Sequence, residues 1–135
     1  MQNLVFDSFA LIAIFRNEAG CHQVKEYLSW ILNHQASGFI SSMQIGEIYY
    51  MIKRKNGIRY AEIALNAILE MPLEVNVPDL QTCISAALIK SSYNISYADA
   101  FAAVLTIDKK ATLITGDPEF KNLIKEPGFK VHFLQ

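Results

Sequence analysis

Four carboxylates stand out by the company they keep. Asp7 closes the apolar run Leu4-Val5-Phe6 and is followed almost at once by the apolar segment Phe9–Phe15. Glu47 sits among Gly46, Ile48, Tyr49 and Tyr50, a poor setting for a solvated side chain. Asp99 opens a segment that is apolar nearly all the way to Ile107, and Asp117 follows Thr112-Leu113-Ile114-Thr115. Each admits a plain structural role. Asp7 can cap a helix, Asp99 can be the third helical residue of a capping box begun by Ser96, Asp117 can be a turn residue before Pro118, and Glu47 can face solvent. A carboxylate flanked by core residues nevertheless needs a partner, because burying an unpaired charge is expensive. The neighbouring sequence offers no Lys or Arg for that purpose. An oxygen-only donor set suits a hard divalent cation, Mg²⁺ or Mn²⁺.

The elements that must position these acids can be read from the pattern. Leu4–Phe6, Gly38–Ile40, Thr112–Thr115 and Val131–Leu134 are short β-favouring runs, and Leu73–Val77 alternates as a strand does. Helical character fills the intervals: Ser8–Phe15; a stripe of Val24, Tyr27, Leu28, Ile31 and Leu32; and a helix from the capping-box pattern Ser41-x-x-Gln44 to about Lys55, stopped by Asn56-Gly57. Another covers Tyr60–Leu69. A helix capped by Asp79 is expected to carry Leu80, Cys83, Ile84, Ala87 and Leu88 on one face, and one opened by Ser96 is buried all round. Short apolar strands alternating with helices predict an α/β fold, a mostly parallel central sheet flanked by helices. Sites in such sheets form at the carboxyl ends of strands, where Asp7 and Asp117 fall. Asp99 and Glu47, in early turns of their helices, can be directed to the same rim.

Taken in order, Asp7-Ser8, then Ser41-x5-Glu47, then Ser96-Tyr-Ala-Asp99-Ala-x-x-Ala103, then Thr115-Gly-Asp117-x-x-Phe120 resemble a PIN domain. The stretch from Phe6 to Leu28, with Glu18-Ala-Gly20 between its helices, is similar to the VapC-type toxins of prokaryotic toxin–antitoxin pairs. The resemblance spans essentially the whole chain and implies a Mg²⁺-dependent endoribonuclease in which Mn²⁺ can substitute. It carries metal-site roles to Asp7, Glu47, Asp99 and Asp117, with Asp7 and Asp99 as the most direct ligands, and a supporting hydroxyl to Thr115; Ser8 is a second supporting residue. It also implies a cognate antitoxin and a homodimeric toxin. One position departs from the family pattern: after the first Asp two small polar residues are usual, and here Ser8 is followed by Phe9, which removes a possible hydrogen bond behind the site.

Composition narrows the alternatives. At 135 residues, the whole chain, 1–135, is expected to be a single domain large enough to hold its core without disulfides or a structural metal. Hydrophobic residues make up 52% and charged residues 19%, which excludes a disordered or low-complexity chain. Mean hydropathy is +0.20, yet the longest apolar runs, Phe9–Phe15 and Ala100–Leu105, fall far short of the ~20 residues of a spanning helix. The first run does not read as a signal peptide, so a cytoplasmic protein with no membrane partner is expected. Cys21 and Cys83 have no C-x-x-C or neighbouring His and read as reduced buried thiols. Net charge is −1, against a general polyanion binder; with the four acids set aside, nine acids face twelve bases, a net +3 that permits RNA binding. Lys53, Arg54, Lys55 and Arg59 cluster at a helix end, where they can complement its dipole or contact RNA phosphates. The aromatic and aliphatic surplus around Tyr49–Ile52 exceeds what one core face can hide and suggests a surface covered by a partner.

Other readings follow from the same residues. A haloacid-dehalogenase-type phosphatase would need a second Asp two residues after the first, where Phe9 stands. A DNA-directed nuclease of related architecture would share the metal site, and a non-catalytic PIN-like binding module would have no need of all four carboxylates.

Overall fold

The computed structural model describes residues 1–135. Five strands, β1 (Gln2–Phe6), β2 (Ala36–Ser41), β3 (Glu74–Asn76), β4 (Thr112–Thr115) and β5 (Val131–Phe133), form one sheet in the order β3-β2-β1-β4-β5. Every pairing is parallel, with Val5 beside Phe39 and Phe6 beside Ile114. The connections are helical: α1 (Ser8–Phe15), α2 (Cys21–Leu32), α3 (Ser42–Asn56), α4 (Ile58–Glu70), α5 (Leu80–Ser92), α6 (Tyr97–Asp108) and a 3₁₀ turn, Pro118–Leu123.

Strand periodicity divides the core into two layers. Leu4 and Phe6 of β1 point to one side, where Leu11, Val24, Ile48, Ile52 and Ile68 from α1–α4 cover them. Val5 points to the other, against Ala86 and Ile89 of α5 and the buried run Ala100–Leu105 of α6. The chain winds from β1 through β2 to β3 on one side, then crosses to β4 and β5 on the other. The switch in direction lies between β1 and β4, and a parallel sheet opens a crevice there at its carboxyl end.

Two apolar patterns resolve in the structure. In α5 the apolar stripe does not face the core: Leu80 is 77% exposed and Leu88 65%, with Ile84 and Ala87 also exposed. Ala86 and Ile89 make the core contact instead, packing with the buried residues of α6. Within Tyr49–Ile52, Ile52 is buried in the core and Tyr50 is exposed, so the surplus belongs to Tyr50 with Tyr60 and Ile63 rather than to the whole run. Asn56-Gly57 stops α3 as expected: Gly57 has φ +96°, a backbone region that costs a side-chain-bearing residue, and α4 begins at the next residue. Cys21 is buried, whereas Cys83 is only partly so. No helix is long and apolar enough to cross a membrane.

Candidate metal centre at the sheet switch point

Asp7 is the residue after β1 and is buried. Its Oδ1 accepts the Ala10 N–H at 2.9 Å, so it caps α1, and the carboxylate itself does not line the pocket. Its Oδ2 accepts the Thr115 hydroxyl at 2.5 Å. The Thr115 Oγ1 in turn accepts the Asp117 N–H at 2.9 Å, and Asp117 Oδ1 accepts the Glu119 N–H at 2.9 Å. A continuous polar chain thus runs from the end of β1 to the end of β4. Asp117 is not only a turn residue: it caps the 3₁₀ turn that Pro118 opens.

Asp99 lies in the first turn of α6, whose cap Ser96 accepts the Asp99 N–H through Oγ at 3.2 Å. The capping-box backbone and the carboxylate's place in the crevice coexist. Glu47 comes from α3 and accepts the hydroxyl of Ser8 through Oε1. The second capping box is only half made. Ser41 caps α3 through the Met43 N–H, but the Gln44 side chain turns away from it. Gln44 is fully buried; its Oε1 accepts the Ser8 N–H at 2.8 Å and its Nε2 donates to the Ala98 carbonyl at 2.6 Å. It therefore ties the segment carrying Asp7 to the segment carrying Asp99.

These elements surround an open pocket of about 420 Å³ lined by Ser8, Glu47, Asp99 and Asp117 together with Glu119, Phe9, Tyr50 and Arg16. Three of the acids come closest: one carboxylate oxygen from each of Asp99, Asp117 and Glu119 lies within 4.8 Å of the others. Asp7 lies beneath this group. Burial pushes the Asp7 carboxyl up to about 8, a rise that Thr115 and Ala10 oppose and that Asp99 and Asp117 reinforce. Burial likewise pushes Asp99 up to about 7, with Glu47, Asp117 and Glu119 adding to the rise. Groups so disfavoured as anions are satisfied by positive charge, and an all-oxygen cluster fits a divalent cation such as Mg²⁺ or Mn²⁺.

The chain matches the PIN domain family profile over residues 4–126. It belongs to the PIN domain family. Among solved structures, this PIN domain is similar to VapBC2 from Rickettsia felis bound to a promoter DNA fragment, with a TM-score of 0.74 and 18% identity over 99% of this chain and 100% of that one. DNA-bound VapBC from Salmonella typhimurium matches at 0.74 and 17%, covering 98% of both chains. VapC20 of Mycobacterium tuberculosis, a toxin that cleaves the sarcin–ricin loop, matches at 0.73 and 16%, over 90% of this chain and 95% of that one. At such identities the likeness is one of fold. No curated protein sequence matches this PIN domain.

Glu119 and Arg16 line the PIN domain's pocket and Gln44 is buried behind it, and none of the three belongs to the site set expected from sequence. Glu119 falls two residues after Asp117, an acid spacing that was itself the available signal. Gln44 stands three residues before Glu47 and so on the same face of α3. Arg16, which follows α1 and lines the pocket, is a cation brought near the acids in space rather than in the chain. Lys53, Arg54, Lys55 and Arg59 are all exposed and none lines the pocket, although the Arg54 guanidinium lies 5.4 Å from the centroid of Tyr50, which does.

Proposed function

We propose that this chain is a Mg²⁺-dependent endoribonuclease, the toxin of a toxin–antitoxin pair, with residues 1–135 working as one nuclease domain in the cytoplasm. The observation that carries the reading is the convergence of acids from four separate elements on one pocket at the sheet switch point. Nothing in the packing of a parallel sheet requires such a cluster, and the electrostatic cost of its ionised form is offset when a cation binds.

Asp99, Asp117 and Glu119 would hold the ion, with Asp7 and Glu47 completing the ring directly or through water. Bound there, the cation supplies positive charge for the phosphodiester oxygens and lowers the pKa of water. The protein's own groups keep the acids in place. Thr115 holds Asp7, Ser8 orients Glu47, and Gln44 fixes α1 against α6. Lys53, Arg54, Lys55 and Arg59, at the α3–α4 junction, would contact the RNA strand beyond the pocket. The toxin–antitoxin complexes among the structural neighbours support an antitoxin partner here. Its apolar segment would lie in the cleft of Phe15, Ile52, Tyr60 and Ile63, which meets the acidic pocket at Arg16. The outward stripe of Leu80, Ile84 and Leu88 on α5 suits a second copy of the chain, giving a homodimer.

Incubation of the purified protein with RNA and with DNA, in Mg²⁺ and in excess EDTA, tests the proposal. RNA should be cut in Mg²⁺ or Mn²⁺, left intact in EDTA, and DNA should survive both. RNA cleavage that persists unchanged in EDTA, or cleavage of DNA alone, would overturn it.

A further inference from the structure

We infer that Phe9 is a stacking platform for an unpaired nucleobase next to the scissile phosphodiester; the inference rests on the nuclease reading above. Phe9 is 44% exposed and belongs to neither core layer. It lines the acidic pocket, flanked in the chain by Ser8, whose hydroxyl meets Glu47. Its ring is seated against Gly116, between Thr115 and Asp117: a Cβ added at Gly116 would lie 2.4 Å from Cε1 and 2.9 Å from Cδ1. A side chain at Gly116 would press on the ring, so ring and glycine are in close contact beside the carboxylates.

The ring joins neither core cluster and carries no oxygen that could hold a cation. It does suit what accompanies a phosphodiester. Acids and a cation address the phosphate, while each adjoining nucleotide carries a base with a π-face. In a duplex those faces are taken by neighbouring pairs, whereas in a loop or single strand they are free to stack on an aromatic side chain. Tyr50, 49% exposed, lines the same pocket and offers a second ring on its far wall.

The test is affinity for single-stranded oligoribonucleotides of mixed sequence, with Ca²⁺ in place of Mg²⁺, for wild type, F9A, F9L and F9W. Each is titrated with the parent strand and with strands made abasic at successive positions. Base–aromatic stacking predicts that F9A and F9L bind the parent about 5- to 150-fold more weakly and that F9W recovers most of the loss. One abasic position should cost wild type as much as F9A does, and cost F9A nothing. Equal binding by F9A and wild type, or abasic costs that are the same in both, overturns the platform. So does an F9A protein that loses antitoxin affinity while keeping RNA affinity, since the ring would then serve a protein contact. Wild type that cuts RNA beside an F9A protein of unchanged affinity removes the platform alone. Wild type that neither binds nor cuts RNA in Mg²⁺ removes the nuclease reading and the platform together.

Discussion

The hydroxyl of Thr115 donates to Asp7 Oδ2 at 2.5 Å across the gap between the ends of β4 and β1. The Thr115 Oγ1 also accepts the Asp117 N–H, so one buried side chain positions both Asp7 and Asp117. The two strands are neighbours in the sheet but lie 108 residues apart in sequence. The bond therefore forms only when the sheet does.

Thr115→Val keeps the shape and removes both hydrogen bonds. It leaves a buried carboxylate oxygen and a backbone N–H short of a partner, at a cost of about 1–3 kcal/mol. It also removes a contact that favours the Asp7 anion, so Mg²⁺ should bind more weakly at neutral pH. Denaturant melts and metal titrations should show both losses, with Thr115→Ser close to wild type. Wild-type stability and affinity in Thr115→Val would mean the bond has no such role.

Glu119 has two duties that one substitution separates. Its Oε1 accepts the Ser96 N–H at the start of α6, and its carboxylate lies with Asp99 and Asp117. Glu119→Gln retains an acceptor oxygen for Ser96 but loses the charge. Metal affinity should fall by about 10-fold or more, the scale typical of lost support around a metal site, while stability without metal stays near wild type. Unchanged metal affinity would place Glu119 outside the centre.

Asp7 and Asp99 make the metal-free protein sensitive to pH in a defined direction. Their folded pKa values, about 8 and about 7, exceed the ordinary 3.8, so the folded state holds more protons across that interval. Their contribution to stability is fully present below about pH 4 and is lost as pH rises through about 7 and 8. Melts in EDTA should show this component declining from pH 5 to about 8, and Mg²⁺ should restore stability most at the alkaline end, where the acids are ionised. A metal-free protein whose stability rises steadily over that range would contradict the burial of these two groups as anions.

The fold was legible because its signals are local. Leu4-Val5-Phe6 and Thr112–Thr115 are too short and too apolar for anything but buried strands, and Ser96, Asp79 and Gly57 mark helix ends by their own chemistry. What escaped depends on three-dimensional neighbours. The Leu80–Ile84–Leu88 stripe has the spacing of a core face, yet the Ala86 side packs with the buried residues of α6 instead. Gln44 fits a capping box by position, but once α3 packs beside the starts of α1 and α6 it finds two backbone partners there that are worth more. Arg16, at the carboxyl end of α1, reaches the pocket only in the folded chain. Asp7, Glu47, Asp99 and Asp117 could be singled out because their apolar flanks make them anomalous in the chain itself. Glu119, in the polar turn after Asp117, carries no such anomaly.

Asp99→Asn bears most directly on the carboxylate cluster as a metal-dependent, RNA-cleaving centre. The change is nearly isosteric, leaves the Asp99 N–H bonded to Ser96, and removes one charge from the group. RNA cleavage in Mg²⁺ and denaturant melts in EDTA are measured on the same protein. The expected result is loss of cleavage and of Mg²⁺ binding, with metal-free stability at neutral pH equal to wild type or higher by up to about 1–2 kcal/mol. If Asp99 served only to shape the start of α6, its loss would instead cost roughly 0.5–2 kcal/mol and leave cleavage intact. A destabilised but fully active Asp99→Asn protein would contradict the proposed centre.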